Sequence, residues 1–134
     1  MEAASDGPSL TGTEFIDVVY NDVYLAAIRN VQRTLENPPG RQPASRVLAM
    51  HDWFISLAEA DRDMLREVVA YAADHAIFGL LCVLDNVQPV VDGYREQLEL
   101  QVRAGGAQRN LAEEGEELHG LFRSQVDEAA GWDT

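Results

Sequence analysis

The feature that most constrains the fold is a long helical pattern that becomes apolar on every side toward its C-terminal end. From about Glu59, apolar residues recur at spacings of three and four, which is typical of an amphipathic helix. The nine residues from Ala76 to Leu84 then carry no charge, hydroxyl or amide on any side chain. A helix that is apolar all round is normally enclosed by other elements. We therefore expect this helix to be the central one.

Three further segments have helical spacing of their apolar residues and can surround the central helix. They cover residues 13–36, 45–55 and 113–128. The first must end before Pro38, because proline disfavours a helical conformation in the residue that precedes it. A hydroxyl at a helix start can accept a hydrogen bond from the first turn. The predicted N-caps are Thr13, Ser45 and Ser56.

A change of period between the third and last helices predicts a β-hairpin near residues 97–111. Leu98, Leu100 and Val102 alternate with charged or amide side chains, as in a strand with one buried face. Gly105-Gly106 follows, and glycine supplies the positive φ that a tight turn needs. An isolated hairpin is marginal in water, so we expect this one to dock on the helices through its apolar residues.

These elements predict a mainly helical α+β fold, with about four helices around an apolar central helix and one β-hairpin. A chain of 134 residues buries roughly two-thirds of its unfolded surface, enough for one core. We expect one domain over residues 13–130. Residues 1–12 are predicted to be a flexible N-terminal segment, and residues 131–134 a loose tail.

Two gaps in the composition exclude several kinds of chemistry. The chain has no lysine; all ten basic residues are arginine. Schiff-base chemistry and lysine-dependent phosphate sites are therefore excluded. Cys82 is the single cysteine, so the chain has no internal disulfide or cysteine pair for zinc. Because Cys82 lies in the most apolar segment, we expect it to be an inert packing residue.

The remaining templates for catalysis or metal binding are incomplete. Glu116 and His119 are three residues apart and would share a helix face, but di-iron bundles need two such pairs and further glutamates. No serine lies in a Gly-x-Ser-x-Gly motif. The sequence therefore predicts no metal site and no cofactor.

The charge balance restricts the kind of partner. The chain carries 10 basic and 23 acidic residues, a net charge of −13. An acidic surface repels nucleic acids and anionic membranes, so neither is an expected partner. The longest unbroken apolar run is far shorter than the ~20 residues that cross a bilayer, and no basic, apolar leader opens the sequence. We expect a cytoplasmic protein.

Two function hypotheses follow. The first is a non-catalytic protein-interaction module, of an inhibitor, immunity or antitoxin-like kind, that binds a basic protein. Its expected contact residues are Glu113, Glu114 and Glu117, in a segment that carries seven acids and one arginine from Leu111 to Thr134. The alternative is an enzyme or small-ligand-binding protein with a site near Asp74 and His75. The oligomeric state stays open, a homodimer included.

Overall fold

The computed structural model describes residues 7–87, 98–111 and 117–130 and confirms a mainly helical α+β fold. Helix α1, a π-helical segment and helix α2 follow one another without a break, so four helical rods lie in the described part of the chain. The elements are α1 (Gly12–Val18), the π-helical segment (Val19–Leu25), α2 (Ala26–Glu36), α3 (Ser45–Ile55), α4 (Glu59–Leu84), β1 (Gln101–Ala104), β2 (Ala107–Asn110) and α5 (Leu118–Ala130).

The chain forms two compact units. The terminal unit holds the residues up to Tyr20 together with those from Ala76 onward, and the middle unit is Asn21–His75. Helix α4 contributes its first part to the middle unit and its last part to the terminal unit. The expectation of one domain over residues 13–130 stays a prediction.

The core of the terminal unit lies where α1 packs against α5. Ile16, Leu118 and Phe122 are almost completely buried there. Gly12 lies close to the end of the hairpin, since a Cβ atom at this position would be 3.0 Å from the carbonyl oxygen of Leu111. Glycine at this position therefore permits the close approach of the two backbones.

The residues that cap the helices differ from the predicted N-caps, because the capping residue depends on where the backbone enters the helix. Thr11, and not Thr13, caps α1: its hydroxyl accepts from the backbone N–H of Glu14, whose side chain accepts from the N–H of Thr11. Ser45 is the first residue of α3, after the N-cap Ala44. Ser56 is the C-cap of α3, and its hydroxyl donates to the carbonyl of Trp53.

The middle unit is held together by side chains that close helix ends. His51 on α3 donates from Nδ1 to the carbonyl oxygen of Leu35 in the last turn of α2, at 2.6 Å. Arg62 on α4 donates to the carbonyl oxygens of Ile55 at 2.7 Å and Leu57 at 3.1 Å, where α3 ends. Both contacts satisfy carbonyls near a helix C-terminus, which favours positive charge.

The expectation that α4 would be enclosed on all sides does not hold for its apolar end. Leu81 and Cys82 are buried, but Leu80 is 59% exposed. This helix is long and apolar enough to cross a membrane, and 17% of its most apolar window is buried. The same length and composition occur in core helices of soluble proteins, so they do not by themselves assign a membrane.

The predicted hairpin is confirmed. Strands β1 and β2 pair antiparallel, with Val102 opposite Arg109 and Ala104 opposite Ala107. Gly105 and Gly106 form the turn with φ of 58° and 82°, the double positive φ of a type I′ turn. Its docking is partial, because Leu98 is 38% exposed while Leu100 and Val102 are half-buried.

Candidate functional site

The site begins where α4 ends. The backbone N–H of Asn86 donates to the carbonyl of Val83, and that of Val87 donates to the carbonyl of Cys82. These two bonds are the Schellman arrangement, which requires a left-handed residue after the helix. Asn86 is that residue, with φ of 63°; asparagine tolerates this conformation better than most side chains.

The side chain of Asn86 then fixes the start of the hairpin segment. Its amide donates to the carbonyl of Leu98 at 2.9 Å, and its Oδ1 accepts from the backbone N–H of Leu98 at 2.8 Å. One asparagine therefore sets both the exit from α4 and the position of the chain that leads into β1.

Asp85, directly before Asn86, joins the end of α4 to the start of α5. Its Oδ2 accepts from the backbone N–H of His119 at 2.8 Å and lies 2.7 Å from the Nδ1 atom of the same histidine. Because a carboxylate oxygen accepts hydrogen bonds, we assign the ring proton to Nδ1. A carboxylate at a helix N-terminus is also favoured by the helix dipole.

A cavity of about 260 Å³ lies between these elements in the terminal unit. It is bounded by the end of α4, the segment that leads into β1, the end of β2 and the start of α5. Its apolar walls are Leu84, Leu98, Leu100 and Leu118. Its polar residues are Asp85, Asn86, Glu99, Asn110 and Glu117. Two of the charged groups at the cavity, Glu99 and Glu117, are exposed.

Two buried oxygen atoms in residues at this cavity have no hydrogen-bond partner among the described residues. They are Oδ1 of Asp85 and Oδ1 of Asn110, and both residues line the cavity. The side chain of Asp85 is only 1% exposed. Buried polar atoms are nearly always hydrogen-bonded to protein or to ordered water, so two such atoms in residues beside one cavity single it out as the candidate site.

His119 is held in a fixed position beside the cavity. Its ring packs edge-on against Phe78, with the ring centroids 5.5 Å apart, and its Nε2 lies 3.8 Å from Oε1 of Glu117. The guanidinium of Arg123 lies 4.7 Å over the centre of the Phe78 ring. Burial, followed by the negative charges of Asp85 and Glu117, raises the pKa of the nearby Cys82 thiol.

This environment determines what the site can do chemically. A carboxylate on Nδ1 is the arrangement that orients a histidine general base, but here Nε2 lies beside a second carboxylate, that of Glu117. The raised pKa of Cys82 keeps its thiol protonated, which agrees with the expected packing role. The arrangement is better suited to accepting hydrogen bonds than to activating a nucleophile.

The structure brings together only part of the residues that the sequence analysis selected. Glu117 lines the cavity, whereas Glu113 and Glu114 lie outside the described residues. Asp74 is buried, with 8% of its surface exposed. The neighbouring His75 is exposed and its ring lies edge-on to Tyr71 at a centroid distance of 4.3 Å.

The sequence analysis missed Asp85 and Asn110. Asp85 is visible in the sequence as a polar residue directly after the apolar run, but its partner His119 lies 34 residues further on. The sequence analysis also predicted no metal site. In the described residues, no group of three or more histidine, cysteine, aspartate or glutamate side chains could hold an ion.

Comparison with protein-family models, with curated proteins and with solved structures found no match to this chain.

Proposed function

We propose that this protein is a non-catalytic interaction module that binds a basic protein, as small inhibitors, immunity proteins and antitoxins do. The observation that carries the proposal is the cavity at the end of α4. Its described lining includes three carboxylate residues and no arginine, and Oδ1 of Asp85 has no hydrogen-bond partner within the described part of the chain. With a net charge of −13, such a site attracts cationic partners and repels acidic ones.

The partner-contact surface that we propose consists of the cavity and the acidic residues that precede α5. Glu117 belongs to both. Exposed charges steer association over about 10 Å at 0.1 M salt, and buried acceptors then contribute to retention once the partner is docked. The module needs no cofactor and no metal for this function, and we place it in the cytoplasm.

The alternative, an enzyme or ligand site near Asp74 and His75, has weaker support. The two neighbouring side chains differ in exposure, since Asp74 is buried and His75 is exposed. Successive residues on a helix also do not face each other. For His75 to act as a general base that Asp74 positions, the two side chains would have to lie within hydrogen-bond reach of each other.

The proposal is tested with a fluorescently labelled peptide rich in arginine and lysine, compared with a glutamate-rich peptide of the same length. Association is followed by stopped-flow anisotropy at low and high salt. The first variant combines Glu113→Arg, Glu114→Arg and Glu117→Arg. The matched control makes the same change in net charge at three exposed acids of the middle unit, Asp22, Asp52 and Glu67.

We expect the basic peptide alone to bind, with association that slows as salt rises. The Glu113/Glu114/Glu117 variant should associate about tenfold more slowly than the control variant, because local charge governs steering. Equal slowing in both variants would show that only net charge attracts the peptide and would overturn the proposed surface. Equal binding of the two peptides to the parent protein would overturn the function. Melting temperatures verify that both variants fold.

A further inference from the structure

We propose that the cavity at the end of α4 receives a single arginine side chain of the basic partner. This inference rests on the proposed function and names the group that the site recognises. It follows from the size of the cavity, from its apolar and acidic lining residues, and from the Oδ1 atoms of Asp85 and Asn110, which have no donor among the described residues.

The cavity is large enough for one amino-acid side chain. Its volume is about 260 Å³, whereas pockets for small molecules and cofactors usually measure about 300–1,000 Å³. The site is nevertheless several times larger than the ~30 Å³ that one water molecule occupies in the liquid. An amino-acid side chain falls within these limits.

The lining matches a side chain that is apolar along its stem and cationic at its end. Four leucines supply apolar walls, against which the methylene groups of arginine or lysine can pack while the charged head reaches polar groups. The acceptors are carboxylate and amide oxygens of Asp85, Asn110, Glu99 and Glu117. None of the described lining residues carries a positive charge that would compete for them.

Asp85 gives the strongest reason to expect a donor from outside. One of its oxygens is used twice by His119, but the other has no partner among the described residues, in a side chain that is 1% exposed. Leaving a buried acceptor of a charged group unsatisfied is costly. A partner that supplies the missing donor removes this cost on binding.

Arginine fits these acceptors better than lysine or a metal ion. The acceptors come from β2 and from the segments that follow α4, precede β1 and precede α5, so they reach the cavity from separate parts of the chain. A guanidinium has five donors in a planar fork and is weakly hydrated, whereas an ammonium is a strongly hydrated point charge. A metal ion would need a cluster of ligands that the described residues do not form.

Two arginines in the described part of the terminal unit make contacts elsewhere. Arg109 of the hairpin donates to the carbonyl of Leu10. Arg123 of α5 lies over Phe78 and is 3.6 Å from Asp127. Neither of these two described arginines lines the cavity, and Arg95 lies outside the described residues.

The test uses three capped tripeptides with glycine on each side of arginine, lysine or citrulline, the last being a neutral analogue of arginine. Binding is followed through the methyl resonances of the leucines in NMR spectra of the full chain. We expect the arginine peptide to shift Leu84, Leu98, Leu100 and Leu118. It should bind about tenfold more tightly than the citrulline peptide, since charge-assisted bonds are roughly twice as strong as neutral ones. Equal binding of citrulline, equal binding of lysine, or shifts only at other leucines would overturn the assignment.

Variants locate the contact. Asp85→Asn removes the charge, Asn110→Leu removes the second acceptor without touching Asp85, and Asp52→Asn in the middle unit is the matched control. We expect about tenfold weaker arginine binding for the first two and no change for the control. If Asp85→Asn does not fold, Asn110→Leu decides alone, and unchanged binding to it refutes the inference.

A calcium control and the comparison of the two peptides separate this inference from the proposed function. Calcium that shifts the same leucines without peptide would make the cavity a metal site and overturn the inference. If the arginine tripeptide leaves the cavity unchanged while the longer basic peptide binds as expected, the inference fails and the function stands. If neither peptide binds, both are wrong.

Discussion

Replacing Arg62 with alanine should destabilise the middle unit far more than replacing Arg66, one turn further along the same helix. Arg62 makes two hydrogen bonds to carbonyls at the end of α3, at 2.7 and 3.1 Å. Its guanidinium also lies 5.2 Å from the centre of the ring of Phe54, a side chain that is 2% exposed. Arg66 forms only an ion pair with Asp63, and both side chains are largely exposed, at 42% and 64%.

These contacts set the expected magnitude. A net hydrogen bond contributes about 1 kcal/mol, and a guanidinium over a ring about 0.5–1 kcal/mol. We therefore expect a loss of about 2–3 kcal/mol for Arg62→Ala. An exposed ion pair contributes little, so Arg66→Ala should cost less than about 0.5 kcal/mol. Arg62→Lys should fall in between, because lysine keeps the charge but loses the forked geometry.

Urea unfolding followed by circular dichroism measures the effect, and an unchanged slope shows that the midpoint shift reports stability. If Arg62→Ala and Arg66→Ala have the same small effect, the carbonyl contacts at the end of α3 do not stabilise the unit and the reasoning is wrong.

Two further predictions concern glycine and the thiol. Gly106→Ala should destabilise the protein by about 1–2 kcal/mol, because alanine at φ of 82° is strained. Gly79→Ala should instead stabilise it by about 0.5–1 kcal/mol, because its helical position has open space for a Cβ. Thermal unfolding compares the two variants, and effects of the same sign would contradict the expectation. The raised pKa of Cys82 means that its contribution to stability is present below the ordinary value of 9.0 and is lost as pH rises through the raised value. Alkylation of the native thiol should therefore start at higher pH than in urea, and coincident profiles would refute the shift.

Sequence patterns alone determined the local elements of this protein. The alternation from Leu98 to Val102 and the Gly105-Gly106 turn predicted the hairpin, because strand period and positive φ depend on neighbouring residues only. The prolines after Glu36 and the spacing of apolar residues likewise predicted where helices end and continue. Of the candidate site, the sequence indicated Glu117 and the acidic character of its surroundings.

Only the tertiary structure decided which faces are covered and which polar atoms meet. The composition of residues 76–84 suggested complete enclosure, yet Leu80 is 59% exposed while Leu81 is 2% exposed. Asp85 and His119 are 34 residues apart in the chain and bonded in the fold. The oxygens of Asp85 and Asn110 that have no partner among the described residues lie where four segments of the chain surround one cavity. Helical period fixes which residues share a face, but the partner of that face is set by packing between distant segments.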